Sequence, residues 1–156
     1  GGDLVATSDK APQFFTWAVR DPRSTWLDRL QIVKGWIQDG EAREQVFDVA
    51  CSDGRKPDPD SYRCSDSSAS VNTSDCSPSF DEGAAELSAL WSDPTFDPRQ
   101  RAFYYVRVLE NTTCRWSTWD AIRAQVPPNP RLKTTVQDRA WSSPIWYLPH
   151  VAPAPR

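Results

Sequence analysis

The sequence predicts a mainly β protein, an antiparallel β-sandwich of immunoglobulin-like type with one or two short helices and a long disulfide-pinned loop. Three observations predict it. Arg101–Leu109 reads Arg-Ala-Phe-Tyr-Tyr-Val-Arg-Val-Leu, mostly β-branched or aromatic, with period-two alternation. Turn dipeptides recur along the chain: Asp21-Pro22, Asp39-Gly40, Asp93-Pro94 and Asp97-Pro98. Fourteen prolines break helices and interior strands into short elements.

Arg101–Leu109 has the length of a central strand. Tyr104, Val106 and Val108 share one face, which should be buried; Phe103, Tyr105 and Arg107 share the other, which should be partly covered. The remaining elements fall in order around it. Gly1–Gln13 is polar and reads as irregular. Phe14–Arg20 is a strand, with Phe15, Trp17 and Val19 on one face, and Asp21-Pro22 ends it. Leu27–Ile37 and Glu44–Cys51 form an antiparallel hairpin about Asp39-Gly40. In it Leu30 and Ile32 alternate with Arg29 and Gln31, while Phe47 and Val49 point inward and Asp48 outward.

Ser52–Glu82 is rich in Ser, Asp, Pro and Asn and reads as a polar loop. Gly83–Trp91 fits a strand slightly better than a short helix, because Ala85, Leu87, Ala89 and Trp91 alternate with Glu86, Ser88 and Leu90. Asp97–Gln100 reads as one helical turn, with Asp97 as N-cap and Pro98 at the first helical position. A second short helix begins at Ser117-Thr-Trp-Asp120, includes Ile122 and stops at Pro127-Pro128-Asn129-Pro130. Ala140–Tyr147 is a last strand, broken by Pro144 and so placed at an edge or bulge. Residues 1–149 then make a single β-sandwich domain with its polar loop at 52–82, and residues 150–156 a disordered tail.

At 156 residues the chain suits one domain and is long enough to bury a core. Its net charge is −3 and its Lys and Arg are scattered, which excludes the basic footprint of a nucleic-acid binder. No apolar run approaches the ~18 residues of a membrane span, and no signal segment opens the chain. Met is absent, even at position 1, so the chain is expected to be a processed product or a fragment.

The four cysteines are Cys51, Cys64, Cys76 and Cys114, with no Cys-x-x-Cys, and the one histidine is His150. Zinc is therefore disfavoured and two disulfides are expected, placing the protein in an oxidising compartment. Four cysteines allow three pairings; Cys51–Cys64 and Cys76–Cys114 are favoured, the first stapling one polar loop and the second tying the next loop to the end of the central strand.

Catalytic constellations fare poorly. A Ser-His-Asp triad would need His150 in the tail. A carboxylate pair drawn from Glu82, Glu86 and Glu110 would use Glu86 and Glu110 at solvent-facing positions. The loop acids Asp53, Asp58, Asp60, Asp66 and Asp75 lack EF-hand spacing. Asn72-Thr-Ser and Asn111-Thr-Thr match the glycosylation pattern.

Several blocks together carry a resemblance. They are Gly-Gly-Asp-Leu (1–4), Asp-Arg-Leu-Gln-Ile-Val-Lys-Gly-Trp (28–36), Val-Phe-Asp-Val-Ala (46–50) and Gly-Ala-Ala-Glu-Leu-Ser-Ala-Leu-Trp (83–91). Phe-Asp-Pro-Arg-Gln-Arg-Ala-Phe-Tyr-Tyr-Val-Arg-Val-Leu-Glu (96–110), Arg-Trp-Ser-Thr-Trp-Asp-Ala-Ile-Arg (115–123) and Arg-Ala-Trp-Ser-Ser-Pro-Ile-Trp-Tyr (139–147) follow in order. The chain resembles the C-terminal region of the bacterial domain-of-unknown-function 3604 family. The resemblance implies a longer parent whose N-terminal part is similar to the polymerase-and-histidinol-phosphatase type of metal hydrolase and binds divalent metal. It also implies an exported protein and a small β-sandwich after the barrel. No His-x-His is present, so no metal ligand is carried over.

The expected function is a non-catalytic accessory domain of that larger, phosphoesterase-like protein, with the N-terminal hydrolase domain as partner and no cofactor held in this chain. The alternative is an independent carbohydrate- or partner-binding module, for which Trp26, Trp36, Trp116, Trp119, Trp141 and Trp146 are candidates to stack on sugar rings. An exposed coplanar tryptophan pair would favour the module, and buried tryptophans or one flat apolar patch the accessory domain. The resemblance further implies an upstream strand, so the isolated chain is expected to be an incomplete sandwich that needs its neighbour.

Overall fold

The structure, a computed structural model, describes residues 1–79 and 82–149; the expected disordered tail, with His150, lies outside them. The described residues form β1 (Gly2–Val5), β2 (Gln13–Val19), β3 (Leu27–Gln38), β4 (Glu41–Cys51), β5 (Glu86–Ser92), β6 (Ala102–Cys114), α1 (Trp116–Ala124), β7 (Thr135–Trp141) and β8 (Ile145–Leu148). Six strands make one sheet in the order β1-β8-β6-β3-β4, with β7 also paired to β6. Strands β2 and β5 make a second, antiparallel sheet of two. The result is the expected mainly β sandwich with very unequal layers. In the large sheet β1 joins β8 in parallel and the other pairs are antiparallel.

Strand β6 is central, as its composition predicts. It pairs β3 on one side, and β7 and β8 in succession on the other. The β3–β4 hairpin turns at Asp39 and Gly40, both at positive φ (53° and 80°), as a two-residue primed turn requires. Leu30, Ile32 and Tyr104 on the inner face of the large sheet pack against Phe14 and Leu87 of the small one. Phe14 and Tyr104 have ring centroids 4.8 Å apart, and Phe47 and Trp91 5.0 Å. Each such buried side chain contributes about 1.5–3 kcal/mol.

The inner face also holds a buried polar group. Lys34 Nζ lies 2.5 Å from Asp93 Oδ2 and donates to the Thr95 carbonyl at 3.0 Å. The Tyr104 hydroxyl donates to the same carboxylate at 2.8 Å. Burial, then the Asp93 charge, raise the Tyr104 pKa, so the phenol stays a neutral donor.

Several expectations are corrected. Gly1–Gln13 is not irregular throughout, because β1 adds to the edge strand β8; its short polar sequence carries no pattern of its own. Asp97–Gln100 is a turn closed by Gln100 N–H to Asp97 C=O at 3.1 Å, too short to nucleate a helix. The helix begins at Trp116 with Arg115 as N-cap, not at Ser117, because β6 runs as far as Cys114. The last strand is two: Pro144 separates β7 from β8. Asp48 faces away from the inner core yet is not solvated; it is 3% exposed beneath the polar loop, and Arg29 and Gln31 beside it are buried too.

The disulfides are Cys51–Cys64 and Cys76–Cys114, with sequence separations of 13 and 38. Both pin the polar loop, the second to the end of β6. Removing either bridge by paired Cys→Ser substitution should cost on the order of 2–4 kcal/mol. The longer closure makes loss of Cys76–Cys114 the more damaging by about 1 kcal/mol. Denaturant melts of the two double variants check the order.

Candidate functional site

The largest constellation of charged side chains lies under the polar loop. Arg29 Nε is 2.7 Å from Asp28 Oδ2, and its Nη1 is 3.1 Å from Asp48 Oδ2. Arg55, from the loop, reaches Asp28 Oδ1 at 2.7 Å. Arg29 also donates to the carbonyls of Cys64 and Ser65, while the Cys64 N–H donates to Asp48 at 2.7 Å. Burial works against the Arg29 charge, but Asp28 and Asp48 outweigh it and raise its pKa. Both carboxylates are sealed from solvent, so the cluster holds the loop rather than receiving a substrate.

The sequence-predicted site residues are dispersed. The four cysteines are all bridged. Glu86 accepts from Trp17 Nε1 at 3.3 Å on β5, and Glu82 accepts from Ser68 at 2.7 Å beside the loop. Glu110 accepts from Ser24 and is half-buried rather than solvent-facing. Asp58 and Asp75 close turns on Ser61 and Ser77, and those backbone and side-chain donors lower their pKa. Asp53 accepts from Ser52 and from the Gly83 N–H. Among the described residues no group of three or more His, Cys, Asp or Glu is arranged to hold a metal ion. Asn111 is buried and donates to the Glu82 carbonyl, so it offers no glycan acceptor; Asn72 is exposed.

Two open apolar surfaces stand out among the described residues. The first is the outer face of β2 and β5. Phe15 stands opposite Leu90, and Trp17 and Val19 continue the row on β2. Their exposures are 72%, 66%, 63% and 60%. The same period-two run that announces β2 therefore puts its larger apolar side chains on the outside, while Phe14 and Thr16 face in.

The second is a groove of ≈ 490 Å³ on the outer face of the large sheet, lined by Phe103, Tyr105, Arg107, Arg139, Trp141 and Trp146 among others. Trp141 is 67% exposed and Trp146 48%. Of the other candidate tryptophans, Trp116 and Trp119 are exposed near α1, whereas Trp26 and Trp36 are half-buried. Sequence reasoning named Trp141 and Trp146, but it missed Arg107 and Arg139 as their neighbours, because only the β6–β7 register brings them together.

Glu110 gives a pH signature. Burial, reinforced by Asp138 and Asp21, raises its pKa against the Ser24 hydrogen bond. The folded state thus holds this proton more tightly than the unfolded chain, and stability falls as pH rises through the folded pKa. A Glu110→Gln variant should melt higher than the parent at pH 7, with the gap shrinking as pH falls to 4; thermal melts across that range check it.

Among curated proteins and solved structures, no match to the chain is found. The model of one family, described as Protein of unknown function (DUF3604), matches residues 1–149. That match takes in every strand, both disulfides and both open surfaces, and the chain belongs to the DUF3604 family.

Proposed function

We propose that the chain is a non-catalytic accessory domain of a larger exported, phosphoesterase-like metal hydrolase, docked on the N-terminal hydrolase domain of the same protein through the outer face of β2 and β5. The observation that carries this reading is the exposed row of Phe15, Trp17, Val19 and Leu90. A two-stranded layer with a flat apolar outer face is a surface in need of a cover. The resemblance to the C-terminal part of a longer protein supplies the partner. Covering these four side chains stabilises the assembly by burial of apolar area at roughly 25 cal/mol per Å².

The chemistry of the described residues points the same way. Their buried charged groups are engaged in the loop cluster and in the Lys34–Asp93 pair. The divalent metal of this reading belongs to the partner domain, since the described residues offer no cluster for it. Export is supported by the two disulfides, and no helix of the described residues is long and apolar enough to cross a membrane. The groove at Trp141 and Trp146 favours a second, binding role.

Hydroxyl-radical footprinting tests the docking. In the intact protein as the cell makes it, Trp17 and Phe15 should be labelled several-fold less than in the isolated chain, while Trp116 is labelled alike in both. Equal labelling of Trp17 in the two samples contradicts the proposal.

A further inference from the structure

We propose that the groove between Trp141 and Trp146 binds a short acidic saccharide, whose rings stack on the aromatic side chains and whose carboxylate or sulfate groups pair with Arg107 and Arg139. The inference is independent of the docking of β2 and β5. Those strands pack on the inner face of the large sheet, and the groove lies on its outer face.

The groove is built by a break in strand pairing. Phe103, Tyr105 and Arg107 alternate along β6 toward the outer face. Strand β7 ends with Trp141 opposite Arg107, and β8 places Trp146 opposite Phe103. Between them the chain detours through Ser142, Ser143 and Pro144, so Tyr105 faces no residue of β7 or β8. The gap is held open by Ser142, whose N–H donates to the Val106 carbonyl at 3.0 Å and whose hydroxyl accepts the Val106 N–H at 3.1 Å. Four residues of strand separate the two tryptophan positions, about 13 Å, the span of a short oligosaccharide rather than of one sugar. The ≈ 490 Å³ volume lies in the range of small-ligand sites.

The lining selects the ligand. Phe103 and Tyr105 lie nearly parallel, 11° between planes, and Trp146 packs on Phe103 at 5.2 Å. These rings give flat apolar faces, on which the C–H faces of a sugar stack. Arg107 is fixed by its Nε, which donates to Gln31 Oε1 at 2.6 Å; Gln31 in turn donates to Asp48 at 2.6 Å. Its terminal nitrogens make no hydrogen bond among the described residues, and neither Arg107 nor Arg139 is in an ion pair there. Two unpaired guanidiniums in an aromatic groove of a chain with net charge −3 are a forked receptor for a carboxylate or sulfate. A purely apolar occupant would strip water from both charges and return nothing.

Calorimetric titration of the intact protein as the cell makes it tests the assignment with three probes: oligogalacturonate for the carboxylate, sulfated galactan oligosaccharide for the sulfate, and neutral galactan oligosaccharide. Saturable binding of one or both charged probes is expected, with the neutral one about tenfold weaker or worse. Arg139→Ala and Trp141→Ala change exposed side chains and should keep the parent melt while each weakens binding about tenfold. The charged probe that binds identifies the anionic group. Absence of saturable binding by both charged probes overturns the proposal. So does equal affinity for the neutral probe, unchanged affinity in either variant, or an oligoglutamate peptide that binds as tightly as the saccharides.

Discussion

Two buried carboxylates, Asp28 and Asp48, govern the arrangement of this protein. Both belong to the central hairpin and both are sealed from water, so each must find cations and donors inside the fold. Arg29, next to Asp28 on β3, reaches across to Asp48 on β4, but it cannot satisfy both alone. Arg55, Arg63 and the Cys64 N–H, all from the polar loop, complete the shell together with Gln31 and Gln137. A loop poor in large apolar side chains is thus ordered by the demand of the sheet beneath it. Removing one member would leave an uncompensated charge, at a cost of about 3–5 kcal/mol.

This constraint divides the outer face of the large sheet. Where Asp28, Arg29 and Asp48 lie, the loop covers it. Where Phe103, Tyr105 and Trp146 lie, nothing of the described chain does, and a groove results. The boundary is the chain of hydrogen bonds from Asp48 through Gln31 to Arg107. The inner face is covered by only two strands, which bury Phe14 and Leu87 and present Phe15, Trp17 and Leu90 outward. An eight-strand sandwich split six to two leaves more apolar surface open than a balanced one, and both proposed roles use that surplus.

Much of the fold was legible in the sequence because its signals are local. The Asp39-Gly40 hairpin, the central strand and the mainly β class follow from turn chemistry and alternation within a few residues. The cysteine positions, at strand ends and in the polar loop, pointed to the pairing present in the structure. What failed depended on distant partners. Asp48 does point outward, as alternation predicts, but nothing near it announces that the polar loop buries it there beneath Arg63 and the Cys64 N–H. Lys34 is a core-face residue whose partner, Asp93, lies on the segment after β5. Strand β1 exists only through β8, so its polar sequence is silent. At the groove the exposed tryptophans were visible as candidates, whereas the arginines beside them emerge only from strand register.

The central claim is that the charge cluster, and not the nearby disulfide, orders the first part of the polar loop. Amide hydrogen exchange in a Cys51→Ser/Cys64→Ser variant tests it directly, read at two N–H groups. That of residue 64 donates to Asp48 Oδ2 at 2.7 Å, and that of Asp48 to the Tyr62 carbonyl at 2.8 Å. The account predicts that both stay protected to nearly the same degree as the amides of β3. Exchange of residue 64 at the rate of an open chain, while β3 remains protected, would contradict it.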